Sequence, residues 1–236
     1  MTNSAIEAIR AETDTRALWD ILLRYFHDRG ISKVSYHHFN ANVPASPVVN
    51  VTADGFSEEW VCHYIEQKLY LIDPITELAQ TAMTPFRWSE VRDLAQLTGD
   101  QARYLDQMRE AGVGDGIAFQ VYGPGLRNGY VGLGVSDVRD FPGDALILDF
   151  QIVAQAGHMR YCELNPADLG PGDLSPRELQ ILRWIARGKS NAGIADILLL
   201  SPHTVDTLVR RIYSKLNVAD RTTAAIRGVG AGLILP

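Results

Sequence analysis

Trp60 and Tyr64 stand four residues apart, Asp73-Pro74 begins nine residues after Tyr64, and Trp88 follows fifteen after Asp73. On a helix, a spacing of four puts two side chains on one face. Trp60 and Tyr64 each carry a large apolar body with one polar tip. A buried carboxylate is costly unless it meets a donor. One indole N–H, one phenol O–H and one carboxylate converging on a cavity suit a small molecule with two carbonyls and one amide N–H. Two plainer roles stay open on spacing alone. Asp73 also suits the N-cap of a helix opening at Pro74, and Trp60 and Tyr64 suit an ordinary core.

A second group of residues points to DNA. Ser201-Pro202 reads as an N-cap and first-turn proline of a helix running to about Leu216. Val205, Val209, Ile212 and Leu216 fall at helical spacing and face a core. Thr204, Asp206, Thr207, Arg210, Arg211, Ser214 and Lys215 are left at or near the outer surface. Arg210 suits a guanine edge, because a guanidinium matches two acceptors at once. Lys189, Lys215 and Arg221 suit phosphates. The plainer alternative is a four-helix interaction domain.

The elements that must position these groups fall into two parts. Asn165-Pro166-Ala167-Asp168-Leu169-Gly170-Pro171-Gly172-Asp173 cannot continue a helix, so 165–173 reads as a linker between domains over 1–164 and 174–236. Beyond the linker lie nine Lys/Arg and four Asp/Glu, a charge of +5; the remaining thirteen basic and twenty-four acidic residues give −11. A basic module on an acidic body is the asymmetry expected when only one part meets phosphate.

The first part mixes periods. Helical spacing from Leu18 to Phe26 stops at Gly30, Lys33–Phe39 and Val48–Val51 read as strands, and Phe56–Leu69 reads as a helix capped by Ser57. Gln101–Glu110 is helical. Gly116–Val121 and Tyr130–Val135 read as strands joined across Gly123–Gly129, where Asn128-Gly129 signals a turn. A long helix follows from about Gly143 to Cys162. The fold expected is an α+β sandwich with a central, largely antiparallel sheet flanked by helices. The second part reads as an all-α helix-turn-helix domain of four short helices. Ser175-Pro176-Arg177-Glu178 forms a capping box, and Leu179, Ile181, Leu182 and Ile185 point inward. Ser190 caps a second helix that buries Ile194, Ile197 and Leu198, and the fourth runs from Asp220 to about Gly232.

Leu174-Ser175-Pro176-Arg177-Glu178, Gly188-Lys189-Ser190, Ile194-Ala195, Leu200-Ser201, Thr204-Val205 and Lys215-Leu216 together resemble the DNA-binding domain of the LuxR family. Residues 15–163 resemble the autoinducer-binding domain of LuxR-type quorum-sensing receptors. The register of Trp60, Tyr64, Asp73-Pro74 and Trp88 carries that likeness, with Gly116 matching a glycine at the start of a strand. The resemblance implies an N-acyl homoserine lactone ligand. It implies that Trp60 donates to the lactone carbonyl, Tyr64 donates to the acyl carbonyl, Asp73 accepts the amide N–H, and Trp88 packs on the lactone ring. Three positions depart from the family. Phe56 stands where a tyrosine is frequent, Val135 near a position often Ser or Thr that helps hold the ligand, and His37 where the cavity wall is usually apolar. An unusual acyl chain, or a ligand that is not an acyl lactone, fits those departures. In the tail, Leu208 replaces a frequent histidine, and Asp206 lies where a basic residue is common.

Other classes fit less well. A phosphorylated receiver domain needs a doubly wound βα repeat, which the first part lacks. Gly188-Lys189-Ser190 lies inside the helix-turn-helix and lacks the upstream glycine of a phosphate loop. Cys62 and Cys162 have no metal or disulfide spacing, and six histidines form no recognisable catalytic or zinc set. No cofactor, metal or catalysis is expected; a lactonase or acylase needs a metal cluster or an activated nucleophile. No segment reads as a membrane span or signal peptide, so the expected place is the cytoplasm. The expected partners are double-stranded DNA, a small-molecule signal and a second copy of the chain. A protein that titrates another regulator is the alternative.

Overall fold

A computed structural model describes residues 2–39, 50–124, 127–166 and 174–235. They form two compact units that divide at Asn165 and Pro166. Of the expected linker, Ala167 to Asp173 lies outside the described residues.

The first unit is built on five strands: β1 (Lys33–His38), β2 (Asn50–Asp54), β3 (Phe86–Arg87), β4 (Asp115–Val121) and β5 (Gly129–Val135). Their order is β2-β1-β5-β4-β3, with every neighbouring pair antiparallel. Successive strand residues face opposite sides. Val131, Leu133 and Val135 of β5 therefore join Ile117, Phe119 and Val121 of β4 in one core. That face is covered by α1 (Thr2–Ala11), α2 (Thr15–His27) and α7 (Asp144–Leu164), where Phe26 meets Phe150 edge-on at 5.6 Å. On the other face α3 (Glu58–Glu66), α4 (Pro74–Ala79), α5 (Val91–Leu94) and α6 (Gly99–Glu110) enclose a second core containing Trp60, Tyr64, Trp88, Tyr104 and Tyr130. This is the α+β sandwich expected.

Local chemistry sets the bounds. The Ser57 hydroxyl accepts from Trp60 N–H at 3.3 Å and starts α3. That helix stops at Glu66, short of the expected Leu69, because Lys68 turns left-handed (φ 53°) into a 3-10 turn at Leu69–Leu71. Val48 and Val49 of the expected second strand lie outside the described residues, and β2 continues to Asp54 rather than stopping at Val51. Asn128-Gly129 does not form the expected turn. Gly129 already pairs with Val121 and His38, and a Cβ there would lie 3.0 Å from the His37 carbonyl oxygen. Helix α1, strand β3 and helix α5 were not expected.

The second unit holds α8 (Pro176–Ala186), α9 (Asn191–Leu198), α10 (Pro202–Leu216) and α11 (Arg221–Gly230). Ser175, Ser190, Ser201 and Asp220 each cap a helix by accepting a backbone N–H. Each such cap contributes about 1 kcal/mol. Ile181, Leu182, Ile185, Ile194, Val205, Val209, Ile212 and Leu216 form the core. Ile197 is exposed, against expectation, while Ile194 and Ala195 are the buried residues of α9. Helices α9 and α10 meet at 113° across Leu199, which is left-handed (φ 53°). This angle is in the range of a helix-turn-helix. No single helix among the described residues is long and apolar enough to cross a membrane.

Candidate ligand cavity and nucleic-acid surface

Between the sheet and the α3–α6 layer lies a cavity of about 360 Å³. His37, Phe56, Trp60, Tyr64, Asp73 and Trp88 all line it. Trp60 and Tyr64 present adjacent rings from α3, with centroids 6.5 Å apart. Tyr64 Oη donates to Asp73 Oδ2 at 2.9 Å. Asp73 Oδ1 accepts from Ile75 N–H at 2.9 Å and Thr76 N–H at 3.4 Å, so the carboxylate caps α4 while facing the cavity. The N-cap role left open by the sequence is therefore present, on a side chain that also lines the cavity. Burial pushes the Asp73 carboxyl above the usual range, opposed by the Tyr64 hydroxyl and the Ile75 N–H. Burial and the Asp73 charge push the Tyr64 and Tyr104 phenols well above theirs. Trp88 keeps a buried indole Nε1 with no hydrogen-bond partner among the described residues.

The sheet floor explains how Trp88 fits. Gly116 of β4 pairs with Gly134 of β5. A Cβ on Gly116 would fall 2.7 Å from Trp88 Cζ2 and 2.6 Å from the Leu133 carbonyl oxygen. One on Gly134 would fall 3.0 Å from Trp88 Cη2. The glycines make room for the indole. Gly116, expected as a ligand contact, therefore does not line the cavity and acts beneath Trp88. Val135 is corrected more sharply: strand alternation turns it away from the cavity into the opposite core, where it is fully buried. Gly116→Ala should cost about 1–3 kcal/mol of stability, the usual range for overpacking, and displace Trp88 toward the cavity. Urea denaturation and the near-ultraviolet tryptophan signal check this; an unchanged midpoint and signal would show that the strand yields freely.

The cavity also contains Ser35, Tyr104, Met108, Val113 and Tyr130, which the sequence reading did not single out. Ser35 and Tyr130 were reachable: Ser35 shares the face of His37, and Tyr130 is the partner of His37 across β5. Tyr104 comes from α6 with no local signal linking it to Asp73. A second cavity of about 460 Å³ lies on the other face of the sheet, among α2, α7 and β1. Its central polar groups satisfy each other, Tyr36 Oη lying 2.7 Å from His158 Nδ1. The first cavity instead is lined by the Asp73 carboxylate and the His37 imidazole.

On α10, Thr204, Asp206, Arg210, Arg211 and Ser214 are exposed, and Thr207 is half-buried. Among the described residues Arg210, Arg211 and Lys189 make no salt bridge. Three of the expected DNA contacts also have partners within the unit. Lys215 Nζ pairs with the buried Glu178 carboxylate at 2.8 Å. Asp206 Oδ1 accepts from Asn191 Nδ2 at 2.6 Å. Arg221 Nη1 donates to Asn191 Oδ1 at 3.0 Å. Lys215 neutralises a buried acid, and the Asp206–Asn191–Arg221 chain ties α9, α10 and α11 together.

The family model for the autoinducer binding domain matches residues 14–161, and that for bacterial regulatory proteins of the luxR family matches 173–227. The HTH-type quorum sensing-dependent transcriptional regulator RpaR of Rhodopseudomonas palustris is 26% identical over 196 residues, covering 83% of this chain and 78% of that protein. The crystal structure of Escherichia coli SdiA superimposes with a TM-score of 0.80 at 22% identity, covering 100% of this chain and 98% of the other. SdiA in complex with octanoyl-rac-glycerol gives 0.77 at 22% identity, covering 98% and 94%. The sandwich with its cavity, the capped helix-turn-helix and both family matches lead to one conclusion: the chain belongs to the LuxR family of autoinducer-binding transcriptional regulators.

Proposed function

We propose that residues 1–164 sense an N-acyl homoserine lactone, and that residues 174–236, across the 165–173 linker, pass the signal to operator DNA. The buried Tyr64–Asp73 pair facing a cavity lined by Trp60 and Trp88 carries this reading. Trp60 N–H donates to the lactone carbonyl, and Trp88 packs on the lactone ring. Binding exchanges partners at the centre. Tyr64 turns its O–H from Asp73 to the acyl carbonyl, and Asp73 receives the ligand amide N–H in return. The carboxylate thus stays hydrogen-bonded in both states, which keeps the cost of the exchange low. The protein acts by binding, without catalysis, cofactor or metal, as a cytoplasmic homodimer on a two-fold operator.

Calorimetry with an acyl-lactone series tests the ligand, alongside mass spectrometry of whatever copurifies. The SdiA complex with octanoyl-rac-glycerol favours one second reading, an acylglycerol in the same cavity. The two series share the acyl arm and differ in the head, so direct competition separates them.

For DNA, Arg210→Ala should weaken binding to the selected operator by about 1–3 kcal/mol and relax its base preference. Lys189→Ala should weaken all sequences alike and lower the salt slope by about one. Gel shifts on a genomic fragment library at several salt concentrations measure both. Retention of no fragment at low salt with ligand present would favour a protein that titrates another regulator.

A further inference from the structure

His37 is a polar group of the cavity to which the proposed function gives no role. It lies in the middle of the sheet, paired with Tyr130 on β5 and Val51 on β2. Its ring meets Tyr130 edge-on at 5.0 Å and Tyr64 edge-on at 6.0 Å. The residue is 4% exposed, yet it lines the cavity. Burial alone lowers its pKa to about 3, with no charge or hydrogen bond among the causes. At neutral pH the ring is therefore uncharged and offers one donor and one acceptor. Contacts with ring edges satisfy neither.

Its place along the strand indicates which part of a ligand it meets. Trp88 sits over Gly116 and Gly134, and Gly134 pairs with Lys33. His37 is four residues further along β1, about 13 Å at the usual rise per residue. Between them the Tyr130 and Ser35 hydroxyls crowd over Gly132. With the head of the ligand at Trp88, His37 faces the acyl arm.

We propose that His37 reads a hydrogen-bonding substituent, a hydroxyl or an oxo group, on the acyl arm of the ligand. The assignment rests on the acyl-ligand reading of this cavity. A plain alkanoyl arm covers the imidazole with methylenes and leaves both nitrogens unpaired in a dry site. An arm with a matching oxygen restores one bond. Leaving a buried polar group unpaired changes affinity by roughly tenfold to a hundredfold.

The test uses octanoyl arms, plain or hydroxylated at C3, C5 or C7, each on a homoserine lactone and on glycerol. Dissociation constants are measured by calorimetry on the full chain for wild type, His37→Leu and His37→Gln. The expected result is that wild type prefers one hydroxylated arm by about tenfold or more. His37→Leu abolishes that preference while still binding the plain arm, and His37→Gln, which keeps a donor and an acceptor, retains part of it. Equal binding of all arms by wild type, or an unchanged preference in His37→Leu, overturns the assignment. If only the glycerol series binds and shows the same preference, the lactone reading fails and the role of His37 stands. If neither series binds, no acyl arm is held here and both fall.

Discussion

Glu178→Ala should remove much of the stability of the helix-turn-helix unit and weaken DNA binding on warming toward 37 °C, with ligand binding retained. Glu178 is 3% exposed on α8. Its Oε2 accepts the Ser175 N–H at 2.7 Å and Lys215 Nζ at 2.8 Å, while its own N–H donates to Ser175 Oγ at 3.3 Å. One side chain thus completes a capping box and holds the end of α10 to the start of α8. Breaking a buried ion pair costs about 3–5 kcal/mol when the remaining charge stays buried. Lys215 is partly exposed and can return to water, so about 2–4 kcal/mol is expected here, the lost capping-box bond included. A unit of about 60 residues holds on the order of 5 kcal/mol in total. Burial raises the Glu178 pKa, but the Lys215 and Ser175 bonds outweigh it and hold the carboxyl below its ordinary value. A carboxyl with a lowered folded pKa adds stability that is present above its unfolded pKa and lost as pH falls through the folded one. The variant should therefore be less stable than wild type at neutral pH and converge on it in acid. Hydrogen exchange of α8 and α10 in the full chain measures this; equal protection at pH 7 would refute it.

The same unit shows why the second half of the chain was legible in sequence. Its caps are local: Ser175, Ser190, Ser201 and Asp220 each bond within three residues, so residue type and spacing carry nearly all the information. The Lys215–Glu178 pair was not legible, because the two residues lie 37 apart, where spacing carries no information. In the first unit α3 and the cap of α4 were legible because they are local, but spacing alone left Trp60 and Tyr64 open to an ordinary core, and the family resemblance of the register pointed to a cavity. Residues contributed by the sheet were harder. Val135 and Gly134 are neighbours, and only the pairing of β5 with β4 decides which of them faces Trp88. The two-residue strand β3 has no period to read; it is held by pairing Phe86 with Ala118 and Arg87 with Ile117. Tyr104 comes from α6, 31 residues after Asp73, and joins the same buried cluster through tertiary structure with no local signature.

Asp73→Asn should lower ligand affinity by about 1.5–3 kcal/mol, on the order of tenfold to more than a hundredfold, and leave the apo protein folded. The amide oxygen can still accept from Ile75 and Thr76, since Asn and Asp cap helices almost equally. The amide N–H₂ then faces Tyr64 and must donate to its hydroxyl, which has lone pairs to accept. The apo network is thus re-paired with reversed polarity. The ligand amide N–H, however, meets a donor where it needs an acceptor, and the charge that would strengthen the bond is gone. Asp73 is 6% exposed, and burial raises its pKa. A carboxyl with a raised folded pKa contributes stability fully present below its unfolded pKa and lost as pH rises through the folded one. Its ionisation therefore works against the apo unit at neutral pH, the opposite sense to Glu178, and Asn removes that cost. The apo melting temperature of Asp73→Asn at pH 7 should match or exceed wild type, with a flatter pH dependence. Asp73→Ala is the contrasting case. It removes the cap and leaves the Tyr64 hydroxyl without its acceptor, for a loss of about 2–4 kcal/mol in apo stability. Thermal melts of both apo variants, with calorimetry on the ligand, separate the roles. Wild-type affinity in Asp73→Asn would show that the carboxylate does not hold the amide N–H. An apo loss in Asp73→Asn as large as in Asp73→Ala would show that the buried Tyr64–Asp73 bond serves the fold before the ligand.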